Sequence, residues 1–164
     1  MVNVFHRRSI RKYQDRPVER EKIIDILRAG MAAPSAHNQR PWRFYVAMNR
    51  EKIKALSEVS KYSLFAAKAP VIIVTVFRND CLLPKEAPID VSACMENMWI
   101  ETDALGLGGV WMGIFPRPER METVTAILDL PENETPFAMF ALGYAAEEKR
   151  PHQSYHEDLV TFLE

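Results

Sequence analysis

Three short stretches hold residue types that chemistry can use. Near the start, Arg7-Arg8-Ser9-Ile10-Arg11-Lys12-Tyr13 places guanidinium groups on both sides of a hydroxyl. Arginine offers a bidentate fork and serine a hydroxyl donor, a set able to grip phosphate. The same residues could equally form a solvated basic face. The second stretch, Ala32-Ala33-Pro34-Ser35-Ala36-His37-Asn38-Gln39-Arg40-Pro41-Trp42, joins a helix to a strand with small residues, prolines, amides and an imidazole. Small side chains let backbone approach a flat ligand, and Asn38 could pair with a ring amide as donor and acceptor. A turn that only redirects the chain would use the same residues. In the third stretch, Gly108-Gly109-Val110-Trp111-Met112-Gly113-Ile114-Phe115-Pro116, Gly113 would permit close backbone approach and Trp111 could wall a pocket. A tight strand exit is the plain alternative.

Other chemistries lack their motifs. There is no GxSxG elbow, no P-loop and no HExxH. His6, His37, His152 and His156 make no pair with metal spacing, and Cys81 and Cys94 make no CxxC. Gly106-Leu107-Gly108-Gly109 is glycine-rich, but a dinucleotide fingerprint follows a strand and opens a helix. Here the glycines follow a helix and open a strand, the context of a helix cap and turn.

The elements that must position these stretches follow from periodicity. The spacing predicts a short helix over Asn3–Ser9 and a helix over Val18–Met31 with Ile23, Ile24, Ile26, Leu27 and Met31 as its apolar set. A strand is expected over Trp42–Met48, a helix over Arg50–Ser60, and a buried β-branched strand over Val71–Phe77. Ile89–Leu105 reads as a helix apolar on most faces, through Val91, Ala93, Cys94, Met95, Met98, Trp99, Ala104 and Leu105, and so as buried all round. A short strand at Gly109–Met112, a helix at Glu119–Leu128 and a strand at Phe137–Tyr144 complete an α+β order of ααβαβαβαβ. Such an apolar central helix in a small chain, with a tail from Ala145 whose apolar residues are mainly Leu159, Val160, Phe162 and Leu163, favours a homodimer.

Composition narrows the field. The chain has 164 residues, 48% hydrophobic and 26% charged, the size and make-up of one folded domain spanning 1–164. Lys plus Arg is 21 against 22 for Asp plus Glu, which excludes the basic excess of a nucleic-acid binder. The balance is uneven, however. Residues 1–20 carry six Arg or Lys against Asp15 and Glu19, whereas residues 145–164 carry two basic and five acidic residues. A basic cluster in a neutral chain suits a single anionic ligand. No apolar run is long enough for a membrane span, no signal peptide is visible, and two cysteines make no disulfide scaffold, so a cytoplasmic protein is expected.

Taken in order, the stretches resemble the nitroreductase family of flavin-dependent oxidoreductases: Arg7-Arg8-Ser9-Ile10-Arg11, then Ala33-Pro34-Ser35-Ala36-His37-Asn38 with Pro41-Trp42, then Leu105-Gly106-Leu107-Gly108 with Trp111-Met112-Gly113-Ile114-Phe115-Pro116, then Ala141-Leu142-Gly143-Tyr144. The resemblance implies a layered α+β fold, a central mostly antiparallel sheet flanked by helices. It implies a homodimer with FMN at the interface, and residues 145–164 packing on the partner subunit. It further implies a ping-pong reaction in which NAD(P)H delivers hydride to the flavin and a nitroaromatic, quinone or enone accepts the electrons. By the same resemblance Arg7, Arg8 and Ser9 hold the phosphate and ribityl side, and Arg11 stands at the electron-rich edge of the ring. Pro34, Ser35, Ala36 and Asn38 form the loop laid on the ring by the other subunit, Met112 and Gly113 offer backbone to it, and His37 lies on the substrate side.

Two departures from the family pattern stand out. The family's Asn-x-Gln-Pro-Trp is here Asn38-Gln39-Arg40-Pro41-Trp42, with Arg40 in the glutamine position. The late basic pair that closes on phosphate is matched by His152 and Ser154, with Lys149 and Arg150 close by as replacements. Three further readings remain beside the oxidoreductase: a family variant with other flavin chemistry such as dehalogenation or flavin cleavage, a non-catalytic flavin- or ligand-binding dimer, and a dimeric module without cofactor.

Overall fold

The computed structural model describes residues 4–151 and 154–163. Four helices alternate with four strands: α1 (Arg20–Met31), β1 (Trp42–Ala47), α2 (Arg50–Ser57), β2 (Val71–Arg78), α3 (Ala87–Ala104), β3 (Gly108–Gly113), α4 (Pro118–Leu128) and β4 (Glu134–Gly143). The strands form one sheet in the order β1-β2-β4-β3, every neighbouring pair antiparallel. The layered α+β architecture expected from the sequence is the one observed.

Strand alternation divides the core into two halves. Val71, Ile73 and Phe77 of β2, with Ala138, Phe140 and Leu142 of β4, face α1 and α3. Ile72, Val74 and Val76, with Met139 and Ala141, face the opposite side, where Ile53 and Leu56 of α2 and Val124 of α4 cover them. β2 and β4 are therefore covered on both faces, which is why they read as unbroken apolar runs rather than alternating ones. Each fully buried Ile, Leu, Met or Phe here contributes about 1.5–3 kcal/mol of burial free energy.

Helix ends follow local chemistry. The Asn49 side chain accepts from the backbone N–H groups of Glu51 and Lys52, opening α2. α3 closes in a Schellman turn: Gly106 takes φ 74°, its N–H donates to the Asp103 carbonyl, and the Leu107 N–H reaches the Thr102 carbonyl. This is the cap-and-turn role expected of the first glycine in the cluster.

Two expectations are corrected. The helix placed at Asn3–Ser9 does not form in the described part of that segment: residues 4–6 make a turn and Ser9 lies extended in a bridge to Gly109. Long-range pairing with β3 satisfies this backbone better than a short isolated helix can. The observed order is thus αβαβαβαβ. α3 is also not buried all round. Val91, Cys94, Met95 and Met98 are buried, but Ala93 and Trp99 are half-buried, Ala104 is exposed, and Ile89 is 66% exposed, because the described residues leave that side partly uncovered. Tyr155, Leu159, Phe162 and Leu163 of the tail are likewise exposed.

Gly108 and Gly109 lie where backbones must approach closely. A Cβ on Gly108 would collide with the Ile10 side chain, and one on Gly109 would enter the ring of Phe140, a fully buried residue. Gly109→Ala is expected to cost about 1–3 kcal/mol through overpacking. The measurement is thermal unfolding, where a Tm matching the parent would contradict the packing described.

Candidate functional site

β3 is an edge strand, and a strip of chain from the N-terminal region occupies its open side. The Ile10 N–H donates to the Gly109 carbonyl at 3.0 Å, the Gln14 N–H to Tyr144 at 2.9 Å, and the Ala146 N–H to Lys12 at 2.9 Å. Tyr13, buried beneath the strip, donates its hydroxyl to the carbonyls of Ile10 and Ala141. Burial pushes this phenol well above its ordinary pKa, so it stays a neutral donor. Residues 8–14 are thus fixed between β3 and the chain leaving β4.

Side chains then lace the strip to residues 147–150. The Glu147 carboxylate accepts from the backbone N–H groups of Arg11 (2.6 Å) and Lys12 (3.2 Å) and pairs with Lys149 at 3.6 Å. Lys149 Nζ donates to the Ser9 carbonyl at 2.6 Å, and Arg8 Nη1 to the Arg150 carbonyl at 2.8 Å. Partial burial alone would raise the Glu147 pKa. The Arg11 and Lys12 amides and the charge of Lys149 outweigh it and hold the carboxyl below its ordinary value.

Two cavities flank this strip. One, of about 580 Å³, is lined by Arg8, Lys149 and Arg150 together with His6 and the backbone of Gly106–Gly108. His6 Nδ1 is bound to the Asp103 carboxylate at 2.8 Å. Arg8, Lys149 and Arg150 share this concavity with the carboxylates of Asp103, Glu147 and Glu148, so what it offers a phosphate-sized anion is directed donors rather than a surplus of positive charge. The other, of about 420 Å³, is lined by Arg11, Trp111, Met112 and Gly113, with Phe65, Arg117 and Arg120. The Arg11 guanidinium lies 5.9 Å from the Phe65 ring centroid. Because the Gly109 carbonyl faces the strip, strand alternation turns the backbone of Trp111 and Gly113 to the same open edge. Arg120 Nη1 takes the Gly113 carbonyl at 2.8 Å, and no atom lies within 4 Å of where a Gly113 Cβ would stand. This edge can meet a flat polar ligand with backbone groups, and the space where a Gly113 side chain would stand is open.

The Pro34–Asn38 stretch lies elsewhere. It runs through a 3₁₀ turn, Ala36–Asn38, with His37, Asn38 and Arg40 at φ 49°, 55° and 47°, left-handed values that side chains adopt at a cost. Buried Asp90 in the first turn of α3 holds it, accepting from the Ala36 N–H (2.8 Å) and from Gln39 Nε2 (2.6 Å). Gln39 also brackets Leu83, its Oε1 accepting from the Leu83 N–H and its Nε2 donating to the Leu83 carbonyl. Arg40, the residue in the family's glutamine position, donates its Nε to Asn38 Oδ1.

The structure thus brings Arg8, Ser9, Lys149 and Arg150 together, and separately Arg11, Met112 and Gly113. It does not bring Pro34, Ser35, Ala36, His37 or Asn38 to either cavity within one chain. The loop stands at the N-terminal end of α3 and the larger cavity at its C-terminal end, about 20 Å along the axis at 1.5 Å per residue. Arg7 turns onto α3, its guanidinium 4.0 Å from the Trp99 ring centroid and 3.2 Å from Glu96. His152 lies outside the described residues, and Ser154 is exposed in the tail. Sequence reading missed Asp90, Glu147, Arg117 and Arg120. The only local signal for Asp90 was an acid in the first turn of a helix.

Known proteins resemble this chain over most of its length. The nitroreductase family model matches residues 4–82 and 59–144. A relative from Archaeoglobus fulgidus, provisionally named an NADH dehydrogenase/NAD(P)H nitroreductase, is 40% identical over 153 residues, covering 89% of this chain and 85% of its own. The structure of a provisionally named NADH oxidase from Clostridium acetobutylicum superposes with a TM-score of 0.95 at 35% identity, covering 99% of both chains. An FMN-dependent nitroreductase from Clostridium difficile superposes with a TM-score of 0.91 at 28% identity, covering 97% of this chain and 96% of that one.

Two outcomes are expected from these contacts. Asp90→Ala leaves the Ala36 N–H and the Gln39 amide short of an acceptor, costing about 1–3 kcal/mol for a buried unsatisfied group, read by urea unfolding. Glu147→Gln removes a charge whose folded pKa is depressed. Its contribution is present above the ordinary glutamate value and fades as pH falls through the lower folded value. The variant should therefore melt below the parent at neutral pH, with the gap closing in acid. A gap that is constant with pH would contradict the assignment.

Proposed function

The chain belongs to the nitroreductase family, and we propose that it is an NAD(P)H-dependent flavin oxidoreductase with FMN as its cofactor. The observation that carries this reading is the pair of cavities served by one strip, each with an arginine of that strip in its wall, Arg8 in one and Arg11 in the other. The residues present fit FMN. Arg8, Lys149 and Arg150 supply the donors a phosphate needs, and the unobstructed edge at Gly113 accepts a flat polar ring. When bound, FMN supplies the redox chemistry, exchanging two electrons with NAD(P)H in one half-reaction and with a nitroaromatic, quinone or related acceptor in the other.

The chain's own groups have distinct tasks. Arg8, Lys149 and Arg150 bind the phosphate and Ser9 lies beside them. Arg11 stands by the ring's electron-rich edge, where a fixed positive charge favours acceptance of electrons. Met112 and Gly113 meet the ring with backbone, and Trp111 walls that cavity. Arg7 serves as a brace on α3 through Glu96 and Trp99. Pro34, Ser35, Ala36 and Asn38 reach a ring only from a second copy of the chain, which makes the working unit a homodimer. His37, exposed on that loop, then faces the acceptor. Partly uncovered α3 and the apolar side chains of the tail, residues 145–164, supply surface for such a pairing. The whole chain, 1–164, acts as one domain. No helix is long and apolar enough to cross a membrane among the described residues, and a cytoplasmic setting suits the reaction.

Purified protein should carry, or take up, the visible absorbance of bound flavin, and anaerobic NADH or NADPH should bleach it. Arg8→Ala with Arg11→Ala should weaken FMN binding at least tenfold per arginine, since each charged hydrogen bond contributes about 1.5–3 kcal/mol. Circular dichroism should remain that of the folded protein. Protein that ignores added FMN would overturn the reading, and flavin that dithionite but neither nicotinamide reduces would favour a binding-only role.

A further inference from the structure

We propose that the smaller cavity selects substrates bearing a small oxyanion, carboxylate or phosphate, and that Arg117 is the residue that recognises it. The proposal rests on the flavin oxidoreductase reading and extends it to the class of substrate. Arg11, Arg117 and Arg120 all line this cavity, and no carboxylate does among the described residues. Arg120 is already committed, its Nη1 on the Gly113 carbonyl. Arg11 belongs to the strip, its backbone N–H held by Glu147 and its guanidinium over Phe65. Arg117 is different. Its backbone is tied down, with its N–H on the Ile114 carbonyl and its own carbonyl accepting from the N–H groups of Arg120 and Met121. Its guanidinium, by contrast, makes no hydrogen bond or ion pair with any described residue, and it is exposed.

The position of Arg117 adds to this. It is the residue before α4, whose first helical position is Pro118, so the positive end of the dipole of this 11-residue helix begins beside the cavity. Glu119 and Glu122 sit on α4 but do not line the cavity. A concavity walled by one sign of charge raises the local concentration of the opposite sign. With Arg11 and Arg120 fixed by other contacts, Arg117 is the cation left to follow an incoming group. The oxyanion could be the additional phosphate that distinguishes NADPH from NADH or a carboxylate on the electron acceptor. Both present the same oxygens to a guanidinium fork.

The test uses FMN-loaded protein and Arg117→Gln, with Arg117→Lys as the charge-restoring control. Steady-state KM is measured for two matched pairs, NADPH against NADH with one acceptor, and 4-nitrobenzoate against nitrobenzene with one donor, at low and high salt. Benzoate and benzamide are titrated separately against the oxidised protein, with the flavin absorbance as readout, which requires no turnover. The parent should bind benzoate more tightly than benzamide. Arg117→Gln should narrow that preference by about threefold or more, as should added salt, and Arg117→Lys should restore part of it. The pair whose KM ratio narrows in parallel identifies which substrate carries the anion. Equal binding of benzoate and benzamide by the parent, or a preference unchanged in Arg117→Gln, overturns the proposal. Failure of both nicotinamides to reduce the flavin would instead overturn the oxidoreductase reading, while the benzoate titration would still decide the anion site.

Discussion

The site depends on one constraint: the edge of β3 is closed by a strip from the other end of the sequence. An open sheet edge presents unpaired donors and acceptors that must be met by something. Here residues 9–10 meet them at Gly109, and residues 12–14 meet the chain leaving β4. The pairing demands glycine at 108 and 109, because side chains there would occupy the space of Ile10 and Phe140. Once the strip is seated, Arg8 and Arg11 are delivered to separate cavities without any helix to carry them. Backbone pairing, rather than side-chain packing, sets the spacing of the two guanidiniums.

An acidic residue completes a cationic site. Glu147 lies among Arg8, Lys149 and Arg150, where a carboxylate would ordinarily oppose an anionic ligand. Its oxygens are instead spent on the amides of Arg11 and Lys12 and on Lys149. The charge it subtracts is offset by the order it imposes on the strip. Asp90 has the corresponding role at the far end of α3, where it spends its carboxylate on the loop that holds three left-handed residues. Each of the two segments assigned to the flavin is anchored by one acid that is close to it in space and remote from it in sequence.

This remoteness explains what was legible in the sequence. α1, α2, α4, β1 and β2 were readable because their burial follows the periodicity of their own residues, and the glycine at 106 because a left-handed helix cap is a local event. The ordered motifs also singled out Arg8, Arg11 and Gly113, which line the two cavities. The segment before Ser9 was misread as helix because its pairing partner is β3, some hundred positions away, and nothing local reports that edge. Glu147 looked like a deficit in an acidic tail, since composition counts its charge and not its hydrogen-bond acceptors. The apolar content of α3 was read as burial on all sides. The described residues leave one side of it partly uncovered, which periodicity alone does not report.

Closing the edge of β3 from the opposite terminus also imposes a schedule. Arg8 and Ser9 emerge early in synthesis, yet their partners are Gly109, Lys149 and Arg150. Contacts separated by so much of the chain form late, after shorter loops have closed. Residues 8–9 must wait for these partners until residues 149–150 have been made. A ligand gripped from both sides of the strip would load only after residues 149–150 had joined it, so its capture would report that late pairing.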